Sequence, residues 1–346
     1  MNTPINETII WGGGAIGGVV ASELVRAGQS VTLVDIVEPH IARIRTSGLA
    51  LLGPDGNTSH IEIKACMPDE LQGQYARIIL CVKGQHTAAA TQMLTPHLHP
   101  EGWVLSMQNG LTEHRVATVA GAKRTVGAHV NFAADYLEPG HIQYGGKGSI
   151  LIGAFSSEGT AHANEAFALL STAFPDTRFT DNLQGFKWSK VCLGAMLFVT
   201  AMSNASMAEQ FEDPTLAPLW RALAAEVLGV ADAAGIRPEA FDGFDPDSFT
   251  PSCTPEQVRQ GLDGIAHHCR TAWVAKPRSG IWRDLHVRHR PTEVDPQITD
   301  VVLHAQQMGM RAPIVERLIN MIREIENGQR PASANNAPEL LEIIPC

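Results

Sequence analysis

The sequence predicts two domains of different class: an α/β domain over residues 1–180 and an all-helical domain over 181–328, followed by a tail at 329–346. Three observations predict it. The apolar run Thr8-Ile9-Ile10-Trp11 enters a glycine-rich turn and then a helix-like segment at 19–27. Short β-branched runs at 78–82, 103–107, 125–130 and 149–153 alternate with helical stretches, the signature of an α/β sheet. Beyond residue 180 such runs almost vanish, and segments 187–209, 216–234, 255–274, 297–309 and 314–327 carry helical periodicity.

The first element is the most specific. In Gly12-Gly13-Gly14-Ala15-Ile16-Gly17, the glycines stand at the spacing G-x-G-x-x-G. Gly12 serves the tight turn, Gly14 lets the backbone approach a pyrophosphate, and Gly17 lets the helix pack on the strand. Ala15 and Ile16 open that helix, whose free N–H groups and dipole favour phosphate. A second strand, Ser30-Val31-Thr32-Leu33-Val34, stops at Asp35, about 20 residues beyond the glycines, where an acid hydrogen-bonds ribose hydroxyls and repels a 2′-phosphate. A Rossmann-type domain is therefore predicted, with NAD(H) favoured by Asp35; Arg43 and Arg45 nearby leave NADP(H) open.

The helical half has its own punctuation. Gly235 and Gly309 occupy C-cap positions, and Pro238 and Pro313 follow as stop signals. Residues 238–255 are dense in Pro, Asp, Phe and Gly, which predicts an irregular segment, either a lid or a surface excursion. The tail begins as a linker-like stretch, although Leu340-Leu341-Glu342-Ile343-Ile344 is apolar enough to dock on a groove or a second subunit.

Composition narrows the function class. The 346 residues are 44% hydrophobic and 18% charged, ample for two cores. A formal net charge of −10 without a long basic run argues against nucleic acid or an anionic membrane surface as partner. No apolar run reaches the roughly 18 residues of a membrane span, and residues 1–7 lack the features of a secretory signal, so a cytoplasmic location is expected. The six cysteines show no C-x-x-C spacing and suggest reduced thiols rather than a disulfide frame or zinc site. His286 and His289 precede Glu293 and Asp295, but the interleaved Arg288 and Arg290 oppose a cation, so no metal is expected. Of the histidines, His129, at a predicted strand end, is the one suspected of lining a cleft.

Further motifs follow in order: Val82-Lys83-Gly84-Gln85-His86-Thr87, Gln108-Asn109-Gly110-Leu111, Pro139-Gly140-His141-Ile142, Phe186-Lys187-Trp188-Ser189-Lys190 and Arg290-Pro291-Thr292-Glu293-Val294-Asp295. Together they resemble the ketopantoate reductase family, the NAD(P)-dependent 2-dehydropantoate 2-reductases, over roughly residues 9–327. The resemblance implies a helical domain like that of 6-phosphogluconate dehydrogenase and a substrate held between the two domains. It also implies that Lys190 donates a proton to the substrate carbonyl, that Glu293 binds the substrate hydroxyl, that Asn109 lies near nicotinamide and substrate, and that Lys83 faces the cofactor.

That chemistry suits the side chains, because hydride transfer to a carbonyl carbon builds negative charge on oxygen and a cationic donor supplies charge and proton together. Lys187, three residues earlier on the same helix face, is the obvious decoy. The sequence also departs from the family. Where the family helix presents two asparagines one and two turns after the lysine, this chain has Gly194 and Phe198, and the family serine is displaced, with Ser279 the nearest candidate for substrate binding or for a helix N-cap. Losing two amides and gaining a ring predicts a pocket for something larger or flatter than a small dihydroxy acid. Trp273, Trp282 and Phe198 are candidates for an aromatic wall. The sequence thus predicts an oxidoreductase interconverting a 2-oxo acid, or a related ketone, and its hydroxy form. A genuine 2-dehydropantoate 2-reductase and a non-catalytic dinucleotide sensor are the alternatives. The partner is a small molecule, and a homodimer is compatible with the helical half.

Overall fold

The computed structural model describes residues 5–146, 148–273 and 276–344; Val274, at the end of one predicted helical segment, and Cys346 lie outside them. The chain divides into two compact units, Met1–Leu183 and Gln184–Cys346.

The first unit is a doubly wound α/β domain. Its elements run β1 (Ile5–Trp11), α1 (Ala15–Arg26), β2 (Val31–Val34), α2 (Glu38–Ser47), β3 (Leu49–Leu52), β4 (Thr58–Ile61), β5 (Lys64–Cys66), β6 (Tyr75–Leu80), α3 (Thr87–Leu94), β7 (Leu98–Ser106), α4 (Glu113–Ala120) and β8 (Thr125–Val130). They continue through β9 (Ala133–Glu138), β10 (His141–Gly146), β11 (Ile150–Ala154), α5 (Thr160–Ala173) and β12 (Arg178–Phe179). The main sheet has the order β12-β11-β8-β7-β6-β1-β2-β5 and is parallel except where β11 runs against β8. Alternate β1 side chains enter opposite cores: Ile10 joins Val20 and Leu24 of α1 on one face, while Ile9 and Trp11 join Leu94 of α3 and Val116 of α4 on the other. A sheet buried on both faces explains why its strands read as continuous apolar runs.

A second, four-stranded sheet, β4-β3-β10-β9, was not foreseen. Its strands are short, β4 and β9 are largely exposed or half-buried, and β10 reaches the buried β3 from about 90 residues away in sequence, a pairing no local pattern announces. Gly18 of α1 lies against this sheet, with a Cβ there falling 2.7 Å from Ile142.

The second unit is helical: α6 (Leu183–Ala201), α7 (Met207–Glu212), α8 (Ala217–Ala233), α9 (Pro255–Thr271), α10 (Gly280–His286), α11 (Asp300–Gln307), α12 (Pro313–Glu326) and α13 (Asn336–Leu341). The segment read as one helix over 187–209 is two, because Ser206 and Glu209 form a capping box that restarts the chain as α7. Glu226 of α8 accepts the Ile314 and Val315 N–H groups at the start of α12, at 3.0 and 3.1 Å. Residues 329–344 belong to this unit. Ser333 N–H and the Asn336 amide donate to Met202 O, just past α6, while Arg330 bridges Glu324 and Glu339 and Leu340 is fully buried.

Segment 238–255 is irregular, as its composition predicts, apart from a bridge at Phe241/Phe244 and a short 3-10 turn at Pro246–Phe249, but its aromatic residues are packed inward. Phe241 and Phe244 exchange backbone hydrogen bonds around Asp242 (φ 38°) and Gly243 (φ 82°), which is a two-residue hairpin turn of type I′. Phe241, Phe244 and Phe249 are buried and in ring contact, so three aromatics supply the core that the polar composition concealed.

Candidate functional site

Four loops of the first unit carry its candidate residues, and all leave the carboxyl ends of neighbouring parallel strands, β7-β6-β1-β2. Ligands of open α/β sheets bind at this edge. Gly12, after β1, has φ 102°, and a Cβ there would lie 2.8 Å from Val82 N. A Cβ on Gly17 would fall 1.8 Å from Gly12 O, so loop and helix touch at a point only glycine allows. Gly14, by contrast, has nothing within 4 Å of such an atom, and Gly14, Ala15 and Ile16 are the partly exposed residues of the turn. Open space in front of the first turn of α1 fits a pyrophosphate on its free N–H groups.

Asp35 follows β2. Its Oδ2 accepts the Gly13 N–H at 2.6 Å and its Oδ1 the Val37 N–H at 2.9 Å, which aims the carboxylate along the glycine turn and leaves acceptor capacity on both oxygens. Arg45, weighed above as a 2′-phosphate ligand, is instead held by Ala65 O at 2.8 Å and by an ion pair with Glu70. Arg43 lies alongside Gly140, whose Cβ would come within 2.3 Å of Arg43 Cγ.

Sequence reasoning missed two residues that hold this edge together. His40, 1% exposed, accepts the Gly140 N–H on Nδ1 at 2.8 Å, which leaves Nε2–H to donate to Gly13 O at 2.9 Å. Burial pushes its pKa below the usual 6.5, against the pull of Asp35. The neutral ring's contribution is therefore complete above that value and is lost as pH falls through the lowered one. His40→Leu is expected to cost about 1–3 kcal/mol for each backbone group left unsatisfied, read as a lower thermal midpoint, and to abolish the acid-side loss of stability. Gln108 is the other: its buried amide donates to Val82 O at 2.8 Å and Thr87 Oγ1 at 2.9 Å, joining the loop after β6, which carries half-buried Lys83, to the loop after β7, which presents exposed Asn109. Gln108 stands in the motif Gln108-Asn109-Gly110-Leu111, where the resemblance implies a role only for its neighbour Asn109.

In the second unit, α6 carries Lys187 and Lys190. Lys187 is 2% exposed. Part of the Lys190 side chain meets solvent, yet burial, reinforced by Lys187 and opposed by Asp242, pushes its ammonium pKa down to about 7. Glu293 stands half-buried in a turn fixed by Thr292, whose N–H and hydroxyl both donate to Glu326 Oε1 at 2.7 and 2.6 Å. A π-helical turn, Asp295–Thr299, follows. Gln297, within this turn, approaches Gly194: a Cβ at Gly194 would meet Gln297 Oε1 at 3.8 Å and nothing nearer.

Several expectations need correction. Phe198 has no exposed surface and belongs to the helical core, so it has none to offer a substrate. Of the two readings of Ser279, the N-cap one is seen: its hydroxyl accepts the Trp282 N–H at 3.2 Å at the start of α10. Trp282 lies between Arg278, 4.8 Å above its ring, and the stacked His286, while Trp273 meets His268 edge-on, so these aromatics and Phe198 make no common wall. His129 is fully buried within β8. Arg288 and Arg290 both pair with Asp284, and His286 Nε2 lies 2.9 Å from Ala201 O. Among the described residues no three His, Cys, Asp or Glu are grouped to hold a metal ion, and no helix is long and apolar enough to cross a membrane.

Comparison with known proteins agrees with this geometry. Residues 8–157 match the family model described as Ketopantoate reductase PanE/ApbA, and residues 182–326 match its C-terminal counterpart. The chain belongs to the ketopantoate reductase family. It is accordingly an NAD(P)-dependent oxidoreductase of the kind acting on CH–OH groups, with a nicotinamide dinucleotide as cofactor. A 2-dehydropantoate 2-reductase of Halobacterium salinarum is 25% identical over 92% of this chain and 98% of its own length. Among solved structures, a D-mandelate dehydrogenase in ternary complex with NADH and anilino(oxo)acetate superposes with a TM-score of 0.80 at 20% identity, covering 93% of this chain and 98% of the other. A ketopantoate reductase from Ralstonia eutropha JMP134 gives 0.75 at 23% identity, covering 93% and 99%. These likenesses confirm the Rossmann-type and helical halves.

Proposed function

We propose that this ketopantoate reductase family member reduces a 2-oxo acid bulkier than ketopantoate, with NADH as the preferred cofactor and Lys190 as the proton donor. The observation that carries the reading is the Lys190 ammonium: a lysine whose proton affinity is brought to about neutrality is matched to general acid work at physiological pH. Bound nicotinamide supplies the hydride to the carbonyl carbon. As that C–H bond forms, the carbonyl π pair moves to oxygen, which takes a proton from Lys190 Nζ, and the neutral amine is reprotonated from solvent. Glu293 accepts a hydrogen bond from the hydroxyl that the reduction creates. Gly12, Gly14, Ala15, Ile16 and Gly17 cradle the pyrophosphate, Asp35 takes the ribose hydroxyls, and Lys83 and Asn109 orient the nicotinamide end.

The preference for NADH rests on Asp35 beside the turn and on Arg45 being paired elsewhere. The bulkier substrate rests on Gly194, which presents no side chain one turn beyond Lys190 and where a Cβ would meet nothing nearer than Gln297 Oε1 at 3.8 Å. The D-mandelate dehydrogenase holding an aromatic oxoacetate supports the same direction. Ketopantoate itself is the second reading, favoured by the name of the Halobacterium relative.

Loss of nicotinamide absorbance, followed with NADH and NADPH against ketopantoate, branched and aryl 2-oxo acids, separates these readings. The expected result is turnover favouring NADH and an aryl or branched acid. Fast turnover of ketopantoate installs the second reading, and NADH binding without turnover in either direction makes the protein a dinucleotide sensor. The pH dependence has a fixed sign. Reduction needs the ammonium form, so its rate is full below about pH 7 and falls above it, whereas alcohol oxidation needs the free amine and rises over the same interval.

A further inference from the structure

The hairpin at Phe241 to Phe244 is built against the turn of α6 that carries Lys190. Glu239 N–H, two residues before the hairpin, donates to Ser189 Oγ at 3.0 Å, and it also lies 3.3 Å from Gly185 O. On the other side the turn presses on α9: a Cβ at Gly243 would come within 2.7 Å of His268 Cβ and 3.0 Å of Gly264 O. Phe241, Phe244 and Phe249 anchor it from below. Asp242, half-buried at the tip, thus lies on a segment bonded to α6 on one side and pressed on α9 on the other, and its positive φ of 38° is the one the type I′ turn requires.

We propose that Asp242 is a positioning residue for Lys190, its carboxylate fixed by the aromatic hairpin so as to hold the lysine in the ammonium form the reduction consumes. The proposal rests on the reading of Lys190 as proton donor. Around this pair, Lys187 on α6 opposes the ammonium, Asp242 favours it, and His268 on α9 feels the same carboxylate. Burial and Lys187 both disfavour the ammonium, and Asp242 opposes them, which keeps Lys190 able both to give and to regain a proton near neutrality.

The test uses Asp242→Asn and Lys187→Met in the full chain. Asparagine before glycine is the preferred pair in a type I′ turn, so the first variant keeps the hairpin and removes only the charge. Two readouts are followed against pH: the reductive rate with NADH, and, on the protein without cofactor, acetylation of Lys190 by acetic anhydride quantified by peptide mass spectrometry. In Asp242→Asn both midpoints are expected to move to lower pH by roughly one unit, and in Lys187→Met to move to higher pH. An unmoved pair of midpoints in Asp242→Asn overturns the role of Asp242. A wild-type labelling midpoint near neutrality with no matching break in the reductive rate overturns the assignment of Lys190 as donor instead, so the two failures are told apart.

Discussion

Lys190→Ala is expected to slow 2-oxo acid reduction by about 10²–10⁴-fold while leaving NADH affinity unchanged. The side chain belongs to the helical unit and takes no part in the glycine turn, so its loss removes proton and charge from the developing alkoxide without disturbing the dinucleotide cradle. The break near pH 7 should vanish from the residual activity, because the group that titrates there is gone. Steady-state rates together with NADH fluorescence titration check both halves. A larger loss in Lys187→Met than in Lys190→Ala transfers the role to Lys187, whose almost complete burial argues for charge tuning rather than contact with a substrate.

The second large effect concerns cofactor choice. Asp35→Ala removes the acceptor of two backbone N–H groups as well as the partner of the ribose hydroxyls. Its expected cost is a rise in KM for NADH of roughly 10- to 100-fold, the equivalent of one or two charge-assisted hydrogen bonds. Turnover at saturating NADH should change little, since the residue binds ground and transition states alike. NADPH should be penalised far less, narrowing the preference between the two. If KM for both cofactors rises equally, the carboxylate shapes the turn through Gly13 and does not read the ribose.

The sequence was readable where one local rule decides the outcome. The glycine turn, the acid after β2 and the alternation of strand and helix each follow from spacing within about 30 residues, the span of one βαβ unit. The small sheet was not readable, because β3 meets β10 only through a pairing of distant segments. His40 escaped because its two partners, Gly13 and Gly140, stand 27 and 100 residues away. Phe198 and Trp282 were misjudged for a different reason. Helical periodicity gives the angular position of a ring but not which neighbours close over it, and here α6 turns Phe198 inward while Arg278 and His286 cover Trp282. The Asp242-Gly243 pair between two phenylalanines was a legible hairpin signal, obscured by the surrounding prolines and acids.

The bond from Gly140 through His40 to Gly13 also limits how this dinucleotide site can be divided. In a simple Rossmann arrangement the first strand, helix and second strand already contain the whole phosphate cradle. Here the carbonyl of Gly13 is capped through a histidine whose other nitrogen is satisfied only by a turn between β9 and β10. Grafting residues 5–66 into another scaffold would carry over every glycine and the acid but strand His40 Nδ1 without its donor. The cradle of this enzyme is not a portable module, and a swap of nucleotide-binding halves between family members succeeds only when the small sheet travels with it.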